Sequence, residues 1–105
     1  MDIDTSAIFA PTVINGHTVK NRLSVAPMTR VTATEDGRPS ETMTRYYERF
    51  ARGGFGTVIT EGIYTDQAFS QGYVHQPGMT DEAQANAWKP VVNELWRKVG
   101  DDGVK

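Results

Sequence analysis

Arg22-Leu23-Ser24-Val25-Ala26-Pro27-Met28-Thr29-Arg30 runs from a short apolar strand into an abrupt proline stop. Val25 and Ala26 suit a buried strand. Pro27 has no N–H for a sheet ladder, so it marks the strand's last residue or the turn just past it. Polar groups then stand at the strand's carboxyl end, which is where α/β proteins bind ligands. Taken alone, these nine residues need be no more than a core strand with a proline turn. Their neighbours on both sides give them a second meaning.

Downstream, Val31 to Pro39 is a polar loop broken by Gly37 and Pro39. Ser40 is a good N-cap, with Glu41 in the first turn, where the helix dipole favours a negative charge. Met43, Tyr46, Tyr47, Phe50 and Ala51 recur at i, i+3, i+4, i+7, i+8, the apolar stripe of an amphipathic helix. Gly53-Gly54 ends it. Thr57-Val58-Ile59-Thr60 is a second strand, reached by a short Gly-rich connection. Strand, loop, helix, short loop, strand is a βαβ unit, which predicts parallel pairing. At the carboxyl end of this second strand stand Glu61 and Gly62. The carboxylate can serve catalysis or fix a loop, and the glycine lets a planar ligand approach the backbone. Ile63 to Met79 is a long loop above that strand end, the place and length of a binding loop. Thr80 is expected to cap a second helix, with Trp88, Val91, Val92, Leu95 and Val99 as its buried stripe. Pro90 predicts a kink or a restart. Gly100 is expected to end the helix, Asp101-Asp102-Gly103 to turn, and Val104-Lys105 to open a third strand.

Upstream, Met1 to Ala7 reads as a lead-in, and Ile8 and Phe9 as two apolar anchors before Pro11. Thr12-Val13-Ile14 and Thr18-Val19 flank Asn15-Gly16. That pair suits a type I′ turn, which needs positive φ at both central residues, so a hairpin is expected at about residues 12–19. His17 beside the turn reads as a surface residue.

Composition narrows the function. The 105 residues carry 11 basic and 13 acidic side chains, a net charge of −2, so there is no basic excess for nucleic acid. Hydrophobic content of 38% and charged content of 23% are those of a globular domain. No apolar run approaches the roughly 20 residues that span a bilayer. The opening Met1-Asp2-Ile3-Asp4 lacks the build of a signal peptide, and a cytoplasmic location is expected. Without cysteine there is no disulfide, thiol nucleophile or thiolate metal site. The chain divides into a hairpin segment at 8–20 and about two βα units at 21–105, forming a single partial domain. Two parallel strands cannot cover both sheet edges. A truncated product, a gene fragment or one part of a split protein is therefore expected.

An ordered set of short motifs resembles the N-terminal part of the old yellow enzyme family, the flavin-dependent NAD(P)H oxidoreductases or ene-reductases. The set comprises Ile8-Phe9-Ala10-Pro11, Asn15-Gly16, Lys20-Asn21-Arg22, Ala26-Pro27-Met28-Thr29-Arg30, Tyr46-Tyr47, Arg52-Gly53-Gly54-Phe55-Gly56, Thr60-Glu61-Gly62, Pro77-Gly78 and Ala87-Trp88-Lys89-Pro90-Val91. The resemblance implies the N-terminal portion of a (β/α)8 TIM barrel, incomplete here, with a hairpin closing the end opposite the site. It implies FMN at the carboxyl ends of the strands, NADPH or NADH as electron donor, and a small-molecule activated alkene as substrate in the complete enzyme. Carried over, Ala26, Pro27 and Met28 would pack against the flavin. Thr29 would donate from its hydroxyl near the reactive edge, and Gly62 would bring its backbone close. Glu61 and Arg30 would support the site, with an ion pair between them expected as one arrangement. The family's remaining catalytic and phosphate-binding residues come later in the barrel, so no catalytic residue is assigned. His17 and His75 do not fit its paired-histidine motif. Gly53-Gly54-Phe55-Gly56 precedes a strand rather than opening a helix, so it is no phosphate loop. The alternatives are a non-catalytic truncated product, an interaction module that needs a partner chain (the rest of the barrel) to complete its sheet, and a different barrel enzyme sharing the early βα units.

Overall fold

The computed structural model describes residues 3–99. In chain order the elements are α1 (Ser6–Phe9), β1 (Thr12–Ile14), β2 (His17–Val19), β3 (Ser24–Val25), α2 (Glu41–Arg52), β4 (Thr57–Val58) and α3 (Glu82–Val99). The expectations for Gly100, the 101–103 turn and Val104-Lys105 lie outside the described residues.

The hairpin forms as expected. Asn15 and Gly16 take φ of 46° and 79°, the type I′ signature. Thr12 pairs with Val19, Val13 with Thr18 and Ile14 with His17. Ile8 and Phe9 do not anchor a core among the described residues. They sit in the single turn of α1, and Phe9 is 59% exposed. The segment is instead tied by its backbone, the Arg22 N–H donating to the Ile8 carbonyl at 2.8 Å.

Asn21 joins the hairpin to the sheet. It is buried, and its carboxamide serves three backbone groups. Oδ1 accepts from Leu23 N–H at 3.0 Å and from Gly56 N–H at 2.9 Å, while Nδ2 donates to the Gly54 carbonyl at 2.6 Å. A Cβ on Gly56 would lie 2.7 Å from Asn21 Oδ1, so only glycine lets the two segments meet this closely. The clamp sets the two chain segments level just before β3 and β4 begin. These strands pair in parallel, Ser24 with Thr57 and Val25 with Val58, and Ile59 N–H extends the ladder to the Val25 carbonyl at 3.1 Å. The second strand is shorter than the expected 57–60 because Pro27 has no N–H to continue the ladder.

Helix α2 starts where Ser40 Oγ accepts from Met43 N–H at 3.3 Å while donating to the Thr32 carbonyl at 2.7 Å. Its stripe is buried at Met43, Tyr47 and Ala51 and half-buried at Tyr46 and Phe50. Gly54, at φ 104°, turns the chain into β4. Helix α3 packs on α2, and Met43, Tyr47, Trp88, Val91 and Ala33 form the core, with Val58 against it. Burying side chains of this size contributes about 1.5–3 kcal/mol each.

Three expectations for α3 change. Asp81, not Thr80, caps it, since Asp81 Oδ1 accepts from Gln84 N–H at 2.8 Å. Thr80 is drawn away because its own N–H and hydroxyl both donate to Gln84 Oε1. The helix runs through Pro90 without a break, which excludes the restart. Pro90 lies on the exposed side, where water can serve the carbonyl it leaves free. Val92 is 47% exposed and leaves the stripe, in which Trp88 and Val91 are buried and Leu95 packs against the core; the side chain of Val99 lies outside the described residues.

The face of the β3–β4 sheet opposite the helices is open. A cleft of about 350 Å³ lined by Thr12, Ile14, Val19, Leu23, Thr57 and Ile59 separates it from the hairpin. Ile14 and Ile59 remain 58% and 47% exposed. The radius of gyration is 15.5 Å, against about 13 Å for a compact domain of this length.

Asn21→Ala is expected to destabilise the fold by roughly 2–3 kcal/mol, because the Gly56 N–H loses its buried acceptor. Gly56→Ala should cost a similar amount by steric conflict. Urea denaturation with an unchanged slope checks both. A midpoint unaltered by Asn21→Ala would remove the clamp from the account of register.

Candidate functional site

Parallel pairing puts the carboxyl ends of β3 and β4 at the same end of the sheet. Ala26, Pro27, Met28, Thr29 and Arg30 leave β3 there, and Glu61 and Gly62 follow β4. Ala26 through Arg30 are all exposed, as is Gly62, whereas Glu61 is buried at 3% exposure. The hairpin lies at the other end, joined to the strands' amino ends through Asn21. The two segments singled out from the sequence thus form one exposed shelf, with the Thr29 hydroxyl among its polar groups. Beside Gly62 the nearest atom a Cβ would meet is Gln76 Nε2 at 3.3 Å, and that amide donates to the Gly62 carbonyl at 3.1 Å.

The shelf is braced from behind. Tyr47, on the buried face of α2, donates its hydroxyl to Glu61 Oε2 at 2.7 Å and accepts from the Glu61 N–H at 2.9 Å. One phenol therefore holds both the backbone and the side chain of the residue before Gly62. Burial pushes the Tyr47 hydroxyl well above the usual tyrosine range; the Glu61 N–H opposes the rise, and the Glu61 carboxylate adds to it. Sequence reading placed Tyr47 only in the core stripe. The missed signal is general, since a tyrosine on a buried stripe must find a partner for its hydroxyl.

Arg30 does not pair with Glu61. Its guanidinium carbon stands 4.3 Å from the centre of the Tyr46 ring, a cation–π contact. Tyr46 in turn meets the edges of Tyr47 and Phe50 at 5.1 Å. Next in the chain, Val31 has φ of 51°, a costly conformation for a β-branched residue. Two residues on, Ala33 is pinned twice by His75. Ala33 N–H donates to the His75 carbonyl, and His75 Nδ1 donates to the Ala33 carbonyl, each at 3.0 Å.

The long loop after β4 has internal order that its composition concealed. Tyr64 is buried and bridges to Gly78, donating its N–H to the Pro77 carbonyl and accepting from Met79 N–H. Gln84, 1% exposed, donates through Nε2 to the Tyr64 hydroxyl and the Asp36 carbonyl, both at 2.9 Å. Gly37 and Gly78 leave the room the Tyr64 ring occupies. A polar cleft of about 410 Å³ beside this network is lined by neither residues 26–30 nor Gly62. Among the described residues no cluster of three or more acidic or histidine side chains could hold a metal ion. No helix among them is long and apolar enough to cross a membrane.

The Tyr47 shift has a definite sign in stability. Folding raises this group's affinity for its proton, so its contribution is complete below the unfolded value of 10.0 and is lost as pH rises beyond it. The chain is expected to lose stability above about pH 10 in a step tied to tyrosine ionisation, read by ultraviolet absorbance alongside circular dichroism. Tyr47→Phe should remove that part of the pH dependence. Retention of the step in the variant would place its origin elsewhere.

Comparison with known proteins converges on one group. The NADH:flavin oxidoreductase / NADH oxidase family matches residues 7–100. Chanoclavine-I aldehyde reductase of Penicillium roqueforti is 34% identical over 91 residues, 87% of this chain and 24% of that protein. A probable flavin mononucleotide-dependent alkene reductase of Leishmania infantum is 28% identical over 90 residues, 86% of this chain and 24% of that protein. The crystal structure of old yellow enzyme from a Pichia species aligns with a TM-score of 0.81 at 31% identity, covering 89% of this chain and 24% of that one. The chain thus spans about a quarter of the length of these relatives (24% in each). The solved relatives are TIM barrels, and among the described residues two parallel strands and their helices are present without closure. This chain belongs to the NADH:flavin oxidoreductase / NADH oxidase family, and its described residues form the opening portion of that family's (β/α)8 barrel.

Proposed function

We propose that this chain supplies one wall of an FMN site in an NAD(P)H-dependent oxidoreductase that reduces activated alkenes. The observation that carries the reading is the shelf at the common carboxyl end of β3 and β4. Ala26 to Thr29 stand exposed there beside Gly62, which has no side chain to obstruct a flat ring. The donor set fits a flavin. Ala26, Pro27 and Met28 offer an apolar surface, and Thr29 offers a hydroxyl able to donate to a ring oxygen or nitrogen. FMN, when bound, supplies acceptance of hydride from NADPH or NADH and its delivery to the β-carbon of an alkene conjugated to a carbonyl.

The chain's own residues do the remaining work on this side of the pocket. Met28 and Pro27 exclude water from the ring. The Thr29 hydroxyl favours the electron-rich reduced ring and so raises its potential. Tyr47 and Glu61 keep Gly62 in place. The open cleft under Ile14 and Ile59 supports completion of the barrel by further chain material, in the same polypeptide or in a partner.

Visible spectra with added FMN test the proposal. The 105 residues alone are expected to bind no flavin tightly, whereas the barrel completed around them should carry FMN, oxidise NADPH or NADH and reduce an enone. A completed, folded barrel that takes up no FMN would overturn it. In the loaded protein, Thr29→Val should lower the flavin potential by roughly 20–30 mV, the equivalent of one hydrogen bond of about 1–1.5 kcal/mol. It should also slow reduction by the nicotinamide. An unchanged potential would remove Thr29 from this role.

A further inference from the structure

Gln76 joins the end of β4 to the loop that follows it. Its Nε2 donates to the Gly62 carbonyl at 3.1 Å, and its Oε1 accepts from the Gly72 N–H at 2.7 Å. Reversing the amide would set N–H against N–H and oxygen against oxygen, so the two partners fix its orientation. Gly62 leaves room for it, since a Cβ there would lie 3.3 Å from Nε2.

The backbone that carries this side chain is held on both sides. Before it, His75 shares two hydrogen bonds with Ala33, each at 3.0 Å. After it, Pro77 is buried, and its carbonyl accepts from the Tyr64 N–H at 3.1 Å. The Gln76 N–H itself donates to the Tyr73 carbonyl at 3.1 Å. The amide thus reaches Gly62 from an anchored segment.

Gly62 needs such a hold. A glycine backbone is the freest of any residue, and the absent side chain that admits a flat ring also leaves nothing to pack. Tyr47 fixes the peptide before Glu61 through the Glu61 N–H, and Gln76 fixes the peptide after Gly62 through the Gly62 carbonyl. These two contacts bracket the glycine. We infer that Gln76 is a positioning residue of the flavin wall, which presets the Gly62 backbone for the ring by holding its carbonyl. The inference rests on the proposed FMN site. With the amide in place the backbone is ordered before the ring arrives; without it, binding must order that backbone as well.

The test uses the complete barrel that carries this chain, as the parent and as Gln76→Glu and Gln76→Met. At pH 7 the introduced carboxylate can still accept from Gly72 but has no proton for the Gly62 carbonyl, and Met serves neither. In both variants the FMN dissociation constant, read by quenching of flavin fluorescence, should rise about tenfold. In the flavin-free protein the amide order parameter of Gly62, read by NMR, should fall from about 0.85 to below about 0.6. For Gln76→Glu the ratio of its constant to the parent's should return toward one at about pH 4.5, close to the ordinary carboxyl pKa, because the protonated acid donates to the carbonyl again. Gln76→Met should show no return. A lowered melting temperature with an unchanged FMN constant would reduce Gln76 to a loop brace and overturn the inference, as would an unchanged order parameter or a Gln76→Glu ratio that ignores pH. A folded parent barrel that binds no FMN defeats the proposed function and this role with it. A parent that binds FMN no more tightly than its variants defeats this role alone.

Discussion

The geometry rests on the carboxamide of Asn21. Two backbone N–H groups and one carbonyl, from the segments leading into β3 and β4, converge on this single side chain. Each strand is only two residues long, so ladder bonds alone give little power to choose a register. A buried amide that satisfies Leu23, Gly56 and Gly54 together makes one register far better than its neighbours, because any slip strands a polar group away from water. With that register set, both strands end level, and residues 26–29 come to lie beside residue 62.

Above this clamp polar side chains tie loops together, those of Tyr47 and Gln84 from buried positions and that of His75 from an exposed one. Tyr47 holds Glu61, Gln84 holds Tyr64 and the Asp36 carbonyl, and His75 holds Ala33. Each joins segments far apart in sequence at the carboxyl end of the sheet. Val31, at a positive φ of 51°, lies two residues before the last of these contacts. Strain next to a site is affordable where the surroundings over-determine it. The helix layer carries the apolar stabilisation, through Met43 and Tyr47 of α2 against Trp88 and Val91 of α3.

The features legible in the sequence were those with a local cause. Asn15-Gly16 makes its turn from two positive φ angles, Ser40 caps α2 from three residues away, and the Met43–Tyr47–Ala51 stripe follows helical period. Pro27 ends its strand for lack of an N–H. Where the structure departs from these expectations, another partner took the group concerned. Thr80 looks like a cap, but Gln84 takes its hydroxyl and Asp81 takes the cap. Of the arrangements open to Arg30 and Glu61, the ion pair does not form, and Tyr46 and Tyr47 engage them separately. Ile8 and Phe9 look like core, yet no described element lies over them.

From neighbouring residues alone come the hairpin, the two long helices and the parallel βαβ order, through hydrogen-bonding capacity, backbone preference and period. Residues 26–29 and 62 were candidates for a flavin wall only through the family resemblance that the ordered motifs carry. Tertiary structure alone decided that Tyr47 braces Glu61, that Asn21 sets the register, that Tyr64 orders the long loop and that one oxygen of Glu61 is left without a partner. Those are matters of which buried polar groups meet, and burial is settled only when segments many residues apart pack together.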